Sequence, residues 1–396
     1  MVAVYPLTGI TIIDMTTNIA GPLAGRILAE LGADVIHVEP PWGDDGRNST
    51  TAFLGSEGIL YSTCNRSKRG IVVDVKTAGG QEVMRRLLKD ADVFLEATVT
   101  GTLDRLGLGY ETLKAANPRL IQVSLNGWGA RGPLANEPGY AVLAMSYAGG
   151  VRPPQREGDV PELRGGSADH AGALLGSIAV LSGLQQRQQT GEGSLVTTSV
   201  FQGALHMTAS TMVRAEEDTL PPEPAAAGMA AAVSPYRTKD GRWLYISAWN
   251  DRQFKRLMEI AGFPHIGNDP KYATRRLRGI HRDELNEVIV AWVATQNLDE
   301  LNEWLRREKI PAAPMRMSTQ ELYNDPHMQA AEMFIPVDHP TKGRLWQLRG
   351  MVEIDGDAGI VRGPAPLLGE HTDDVLAEAG FTDDEIAALR AGGAVA

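Results

Sequence analysis

The first third of the chain alternates between short apolar runs and segments with helical spacing. The run 9–15 is rich in β-branched residues and predicts a strand. Pro22 can open a helix, leucines and isoleucines then recur at helical spacing, and Gly32 can end it. The pattern recurs, with further strands predicted at 33–38, 91–95 and 120–125. Because strands that alternate with helices form parallel βαβ units, we expect a doubly wound α/β domain.

The second half of the chain changes character twice. Residues 215–235 are rich in Pro, Ala and Glu and are typical of a linker. A hairpin around Lys239-Asp240-Gly241 and helices near 251–261, 282–295 and 298–307 predict a smaller α+β domain. A second irregular stretch, 335–366, leads to a terminal helix near 373–379. We therefore predict a large domain that begins with 1–225, a small domain at 226–329, and a linker at 330–396 that returns to the large domain.

Composition excludes several classes of function. The formal net charge of −11 over 396 residues argues against general nucleic-acid binding. No apolar run approaches the ~18 residues that a membrane span needs, and the N-terminus lacks the basic region of a signal peptide. Cys64 is the only cysteine, so no disulfide can form within the chain, and we expect a small buried thiol. These features predict a cytoplasmic protein with no membrane or nucleic-acid partner.

The segment 127–132 matches GxGxxG, the dinucleotide-binding fingerprint, and follows a predicted strand. That fingerprint also requires a helix to begin there, but Pro133 follows at once and the next residues favour turns. We therefore expect no dinucleotide site. Phosphate-loop, HExxH and GxSxG motifs do not occur, and nothing in the sequence predicts a metal site.

Asp169 immediately precedes a long helical pattern, so its simplest role is the N-cap of that helix. A carboxylate at a helix N-terminus is also held ionised, and an ionised carboxylate in a dry site can attack a thioester. Both roles are compatible. Basic residues elsewhere, at Arg66, Lys68, Arg69, Lys76 and Arg105, fit either solvated surface charge or phosphate binding.

Eight segments, taken in order along the whole chain, together resemble the CoA-transferase family III, which includes formyl-CoA transferase and carnitine CoA-transferase. They are IAGPLAGRILAELGADVIHVEPP, SKRGIVVDVKTAGG, GTLDRLGLGYETLKAANPRLI, SLNGWGARGP, QQRQQTGEG, SPYRTKDGRW, IPAAPMRMSTQELYNDPHM and APLLGEHTDDVLAEAG. Each segment alone is weakly specific, whereas the ordered set is highly specific.

The resemblance implies a doubly wound large domain, a smaller α+β domain and a homodimer of interlocked rings. It also implies a CoA-transferase of the EC 2.8.3 type, in which an aspartate forms an acyl anhydride and then an aspartyl-CoA thioester. In the family that aspartate lies eighteen residues before the Arg of an RxxTGxG segment. Arg187 begins that segment here, so Asp169 takes the role.

The resemblance further implies the residues that contact the substrates. CoA would contact Ala20, Arg69, Lys76, Arg105 and Leu106, and the acyl group would contact Tyr61, Tyr140 and Gly228. The CoA thioester is itself a substrate, so no permanently bound cofactor or metal is expected. The expected partners are a second copy of the chain, an acyl-CoA and a small carboxylic acid.

Two other functions stay open. An acyl-CoA racemase of the same fold needs a proton-shuttling His, but the matching stretch is Gly139-Tyr140-Ala141. A non-catalytic CoA-binding protein would have no need of Asp169 at its spacing. The chain also departs from formyl-CoA transferase at Ile19, at Ala141 and in the 225–229 loop, which suggests a larger or less polar acyl group.

Overall fold

The computed structural model describes residues 5–48, 52–55, 57–152, 160–163, 167–208 and 231–396. The chain forms two compact units, one comprising Met1–Val213 and Glu332–Ala396 and the other Arg214–Ala331. The predicted boundary at 225/226, the loop 225–229 and Gly228 lie outside the described residues, so the predicted domain limits stay predictions. Among the described helices, none has the length and apolarity to cross a membrane.

The first unit is built around a six-stranded parallel sheet with helices on both faces. Its elements up to residue 208 are β1 (Thr11–Met15), α1 (Ala20–Glu30), β2 (Asp34–Glu39), β3 (Phe53–Leu54), β4 (Glu57–Gly58), α2 (Ile59–Asn65), β5 (Arg69–Val72), α3 (Ala78–Asp90), β6 (Val93–Glu96), α4 (Thr102–Arg105), α5 (Tyr110–Ala116), β7 (Ile121–Asn126), α6 (Ala141–Tyr147), β8 (Val151–Arg152), β9 (Glu162–Leu163), α7 (Ala168–Thr190), β10 (Leu195–Ser199) and α8 (Val200–Thr208).

The sheet has the order β10-β7-β6-β1-β2-β5, and all of its neighbouring strands are parallel. Successive residues of β1 belong to opposite cores, because Ile12 packs with α1 and α7 whereas Ile13 packs with α3. Strands covered on both faces need continuous apolar runs, which is the pattern in the sequence. The predicted α/β fold with a doubly wound parallel sheet is confirmed. The strand order reverses between β1 and β6, and such a switch point opens a crevice at the carboxyl ends of the strands.

The second unit contains a three-stranded antiparallel sheet packed against helices. Its elements are β11 (Val233–Arg237), β12 (Trp243–Ser247), α9 (Asp251–Ile260), α10 (Pro264–Gly267), α11 (Arg275–Ile280), α12 (Arg282–Val293), α13 (Leu298–Arg307), β13 (Ala312–Pro314), α14 (Thr319–Tyr323) and α15 (Pro326–Ala330). The predicted hairpin around Lys239-Asp240-Gly241 is present as β11 and β12.

The chain then returns to the first unit through β14 (Phe334–His339), β15 (Gly343–Leu348), α16 (Thr372–Glu378) and α17 (Asp383–Ala391). The prediction of irregular chain over 335–366 is therefore wrong for its first part, where β14 and β15 pair as a hairpin. Pro336 within β14 obscured the strand pattern, but proline is tolerated in a two-stranded sheet. Helix α17 was not predicted, although Thr382 and Glu385 form a capping box at its start.

Helix α7 packs unusually closely on its neighbours because small residues line its buried face. A Cβ on Gly176 would lie 3.0 Å from Leu125 Cδ2 and 3.2 Å from Ala24 Cβ. A Cβ on Gly203 of α8 would lie 2.9 Å from the backbone nitrogen of Gly172. These close contacts bring the first turn of α7 beside the first residues of α1 and α8.

A buried cluster of charged side chains links the carboxyl ends of β1 and β2. The Lys68 Nζ donates a hydrogen bond of 2.8 Å to Asp14 Oδ2. The His37 ring lies between two carboxylates, with Nδ1 3.5 Å from Asp14 Oδ2 and Nε2 3.3 Å from Asp44 Oδ2. Asp44 Oδ1 also accepts from the backbone N–H of Asn18, whose φ is 73°. The cluster therefore fixes the turn between β1 and α1.

The charges of this cluster balance when His37 is protonated. Burial by itself lowers the pKa of His37, but Asp14 and Asp44 outweigh that effect and raise it to about 9. Burial likewise raises the pKa of Asp14, whereas Lys68 and His37 lower it by more, so it stays well below its usual range. Two carboxylates, an ammonium and an imidazolium then compensate one another in a site that excludes water. Removing one member would leave an uncompensated buried charge.

The packing of α7 on α8 predicts opposite outcomes for two glycine substitutions. Gly203→Ala places a methyl group against the backbone of α7 and should destabilise the fold by roughly 1–3 kcal/mol. Gly172→Ala is the matched control, because its Cβ would meet Val200 Cγ2 at an ordinary 3.4 Å. That variant should be neutral or more stable, by up to about 1 kcal/mol, since alanine favours the helix. Urea denaturation distinguishes them, and equal stability of the two variants would contradict this packing.

The protonated state of His37 predicts a pH dependence of stability. A histidine in the unfolded chain has a pKa near ~6.5, so the higher pKa of folded His37 stabilises the fold, and this stabilisation is complete below pH ~6.5. The stabilisation is lost as pH rises through the folded pKa of about 9. The free energy of unfolding should therefore fall by roughly 2 kcal/mol between pH 7 and 9 through this group. His37→Gln should be less stable at pH 7 and should lack this part of the pH slope. Parallel stability curves for the two proteins would contradict a charged His37.

Candidate active site

A cavity of about 450 Å³ opens beyond the carboxyl ends of β1, β6 and β7, at the topological switch point. Its walls come from the loops that follow these strands, from the turn between β1 and α1, and from the first turns of helices. The residues that line it include Ala20, Trp128, Tyr140, Asp169 and Val200. In α/β sheets of this kind, ligands bind at this position.

Asp169 is the second residue of α7, not its N-cap as the sequence predicts. Ser167 occupies the N-cap position, and its side chain makes no capping hydrogen bond. The carboxylate of Asp169 is thus not engaged in closing the helix. Within the described parts of the chain, no hydrogen bond or ion pair holds it. The side chain is half-buried and lines the cavity.

Two opposing effects act on the charge of Asp169. Burial raises the pKa of its carboxyl group, and His170 lowers it by a smaller amount. Its place in the first turn of the 23-residue helix α7 also favours the ionised form. A carboxylate that is partly desolvated and has no protein partner is more reactive than one bound in an ion pair. In its ionised form the group can therefore serve as a nucleophile.

The amino-terminal ends of three helices meet at this cavity. Ala20 begins α1, Val200 begins α8, and both residues line the cavity together with Asp169 of α7. Helix N-termini carry partial positive charge and stabilise anions nearby. The arrangement can stabilise negative charge that develops on a reacting carbonyl oxygen or on a leaving thiolate.

The glycine-rich segment 127–132 forms part of the cavity wall without any helix. A Cβ on Gly127 would lie 2.5 Å from Gly139 Cα, so the two ends of this loop meet backbone to backbone. The Trp128 Nε1 donates to the Pro138 carbonyl at 3.0 Å and closes the same loop. The next helix, α6, begins only at Ala141. The absence of a helix at this motif agrees with the sequence interpretation that it is not a dinucleotide fingerprint.

The structure brings together three of the predicted site residues. Asp169, Ala20 and Tyr140 all line the cavity. Tyr61 lies elsewhere, in the protein core, where its hydroxyl donates to Glu39 Oε1 at 3.0 Å. Gly228 lies outside the described residues.

The other predicted CoA contacts are not among the residues that line this cavity. Arg69 forms ion pairs with Asp34 and Glu378. Lys76 lies beside the indole of Trp42, with its Nζ 5.3 Å from the ring centroid. Arg105 ends the short helix α4 and donates to Thr102, and the next residue, Leu106, packs against the core.

The sequence interpretation missed the buried charges that shape the site. Asp14 interrupts an otherwise apolar strand run, and His37 does the same in the next strand. Polar residues in buried strands require polar partners, so these two interruptions of apolar runs could have indicated a buried charged cluster. Cys64 is buried as expected, and burial raises the pKa of its thiol to about 11. No cluster of His, Cys, Asp or Glu among the described residues could hold a metal ion.

Comparisons with known proteins identify the family of the chain. A family model described as CoA-transferase family III matches residues 7–372. Succinyl-CoA–D-citramalate CoA-transferase of Chloroflexus aurantiacus is 31% identical, over 98% of this chain and 97% of its own length. Human succinyl-CoA:glutarate CoA-transferase is 30% identical, over 96% of this chain and 87% of its own.

A solved structure is similar to this chain in its fold. The crystal structure of a CAIB/BAIF family protein from Brucella suis superposes with a TM-score of 0.81 at 30% identity, over 95% of this chain and 99% of that one. The predicted family and the predicted enzyme class, a CoA-transferase, are both confirmed. The chain belongs to the CoA-transferase family III.

Proposed function

We propose that this protein moves CoA from an acyl-CoA to a free carboxylic acid, with Asp169 as the covalent nucleophile. The observation that carries the proposal is the position of Asp169. It lines a cavity at the switch point of the sheet and forms no hydrogen bond or ion pair with the described residues. A carboxylate placed this way can take up and release an acyl group, whereas a structural aspartate would be hydrogen-bonded or paired.

The proposed reaction begins with attack of an Asp169 oxygen on the thioester carbonyl carbon. The carbon–sulfur bond breaks, which gives a mixed anhydride on Asp169 and free CoA thiolate. The thiolate then attacks the aspartyl carbonyl carbon, forms an aspartyl-CoA thioester and releases the donor acid as its carboxylate. The acceptor carboxylate then attacks the aspartyl carbonyl carbon of this thioester and displaces the CoA thiolate, which gives a new anhydride. The thiolate attacks the acceptor's carbonyl carbon in that anhydride, forms the new acyl-CoA and restores Asp169.

The surroundings of Asp169 support each of these steps. Burial removes water from the carboxylate, which makes it a better nucleophile and protects the anhydride from hydrolysis. The helix N-termini at Ala20 and Val200 stabilise the oxyanion and the thiolate. Because burial raises the pKa of Asp169, we expect turnover to fail on acidification at a higher pH than for an exposed aspartate.

The names of the relatives suggest where a substrate search should begin. The two relatives described above are named for succinyl-CoA and for citramalate or glutarate. Succinyl-CoA and small organic acids therefore belong in the first panel of candidates. An acyl-CoA racemase is the alternative, and it would move protons at the α-carbon without acylating Asp169.

The proposed contacts with CoA are Ala20, Arg69, Lys76, Arg105 and Leu106, of which Ala20 lines the cavity. Lys76 and the exposed indole of Trp42 together offer a cation and an aromatic face on the same surface. A nucleotide with phosphates can use both kinds of group. Tyr140 and Gly228 remain the proposed contacts of the acyl group, whereas Tyr61 is buried in the core of the single chain and bonded to Glu39.

We also propose a cytoplasmic homodimer of interlocked rings. Leu174, Ile178 and Leu181 of α7 are between 38% and 56% exposed in the single chain, and their spacing places them on one helical face. An exposed apolar face of this kind is typical of a surface that another chain covers.

Substitution of Asp169 tests the nucleophile. Asp169→Ala and Asp169→Asn should both lose essentially all transfer, because neither side chain can form the anhydride. Loss of a first-turn carboxylate should cost at most ~1 kcal/mol of stability, so both variants should fold and bind CoA. Residual transfer above about a tenth of the wild-type rate, equivalent to ~1.4 kcal/mol of barrier, would contradict the assignment.

The same variants serve as controls for trapping the intermediate. Wild-type protein incubated with acyl-CoA alone, then treated with hydroxylamine, should carry a hydroxamate on the peptide that contains Asp169 and should lose activity. Asp169→Asn should show no such modification. An unmodified wild-type peptide, under conditions in which CoA exchange is demonstrated, would exclude the anhydride mechanism on Asp169.

Lys76 and Arg105 should affect binding of acyl-CoA more than its reaction. Replacing either by Ala should raise KM for acyl-CoA with a smaller change in kcat, as expected when an interaction is equally strong in the ground and transition states. Arg85→Ala is a matched control, because Arg85 is an exposed arginine paired with Glu82 on α3. An unchanged KM in both Lys76 and Arg105 variants would refute their role.

A further inference from the structure

The described lining of the cavity carries negative charge and no positive charge. Its carboxylates are those of Asp45, Glu137 and Asp169, and none of its described members is Lys, Arg or His. Asp45 and Glu137 line the cavity and are also exposed to solvent. An acid that enters must bring its reacting carboxylate to Asp169. A second carboxylate on the same molecule would then meet like charge, with no compensating cation among the described lining residues.

The remaining described wall combines apolar side chains with the polar side chains of Thr17, Asn18 and Asn126. Ile19, Val99 and Val142 contribute aliphatic surface, and Trp128 contributes an indole. The indole N–H is already bonded to Pro138, so the ring offers the cavity no free donor. Tyr147 and Phe201 hold it in place, each with its ring centroid 5.6 Å from that of Trp128. This surface suits a hydrocarbon or aromatic chain.

We propose that the acids exchanged by this protein are monocarboxylates with an uncharged, mainly apolar chain, and that dicarboxylates are poor substrates. The inference rests on the proposed CoA transfer through Asp169 and sets this chain apart from the relatives named for succinyl-CoA with glutarate or citramalate. Charge repulsion at Glu137 and Asp45 and the apolar wall at Val142 both select against a distal carboxylate.

Matched acceptor acids test the proposal directly. With one acyl-CoA donor that supports turnover, the rate of CoA transfer is measured to glutarate, to its monoamide and to hexanoate. The amide is nearly isosteric with the carboxylate but uncharged, so the comparison isolates charge. We expect kcat/KM for the monoamide and for hexanoate to exceed that for glutarate at least tenfold. A glutarate value equal to or above that of the monoamide would overturn the proposal.

Two variants and a control locate the selectivity within the cavity. Val142→Arg places a cation at the start of α6 and should shift the ratio of glutarate to monoamide at least tenfold in favour of glutarate. Glu137→Gln should shift the ratio in the same direction by a smaller factor. Leu143→Arg is the control, because Leu143 is a similarly exposed neighbour that does not line the cavity. Its ratio should match that of the wild type, and an equal shift in Leu143→Arg and Val142→Arg would overturn the proposal.

The outcomes separate this inference from the proposed function. Efficient transfer to glutarate with loss of transfer in Asp169→Asn would refute the monocarboxylate preference and leave the nucleophile intact. Absence of transfer from every acyl-CoA to every acid, together with an unmodified Asp169 after hydroxylamine, would refute the proposed function itself.

Discussion

The buried ion pair between Asp14 and Lys68 is the interaction on which the geometry of the site depends. It lies at the carboxyl end of β1, where the chain leaves the sheet and turns towards the cavity. His37 extends the pair to Asp44, and Asp44 accepts from the backbone of Asn18 within that turn. Asn18 adopts a left-handed conformation, which costs energy for most residues and must be held by its surroundings. The charges therefore fix the loop that places Ala20 opposite Asp169.

Close packing of helices also determines the geometry of the cavity. Glycines at 176 and 203 let α7 approach α1 and α8, so their amino-terminal ends converge on one cavity. A converging set of helix N-termini is a general device for stabilising negative charge. In this cavity the helix N-termini surround the carboxylate of Asp169, which forms no ion pair with the described residues. The proposed chemistry needs this combination, because an attacking carboxylate must remain ionised while a thiolate and an oxyanion form beside it.

The sequence was informative wherever structure follows from local pattern. Apolar strand runs and helical spacing predicted the parallel sheet, because both faces of the sheet are buried and every strand must be apolar. The family resemblance, through the position of Asp169 relative to Arg187, identified the carboxylate that lines the cavity. Sequence could not show that Ser167 and not Asp169 occupies the N-cap position of α7, because serine and aspartate both favour helix starts. It also could not pair Asp14 with Lys68, since these residues are 54 positions apart and meet only through the order of the strands.

Oxygen-isotope transfer tests the central claim, covalent catalysis by Asp169, most directly. When an acceptor acid attacks the aspartyl-CoA thioester and the resulting anhydride is cleaved by thiolate, one oxygen of the acid stays on the aspartate. A single turnover with an acceptor labelled in both carboxylate oxygens with oxygen-18 should therefore leave one labelled oxygen on the peptide that contains Asp169. Mass spectrometry of the digested protein would show it. Turnover that leaves this peptide unlabelled, or that labels a different aspartate or glutamate, would contradict the account.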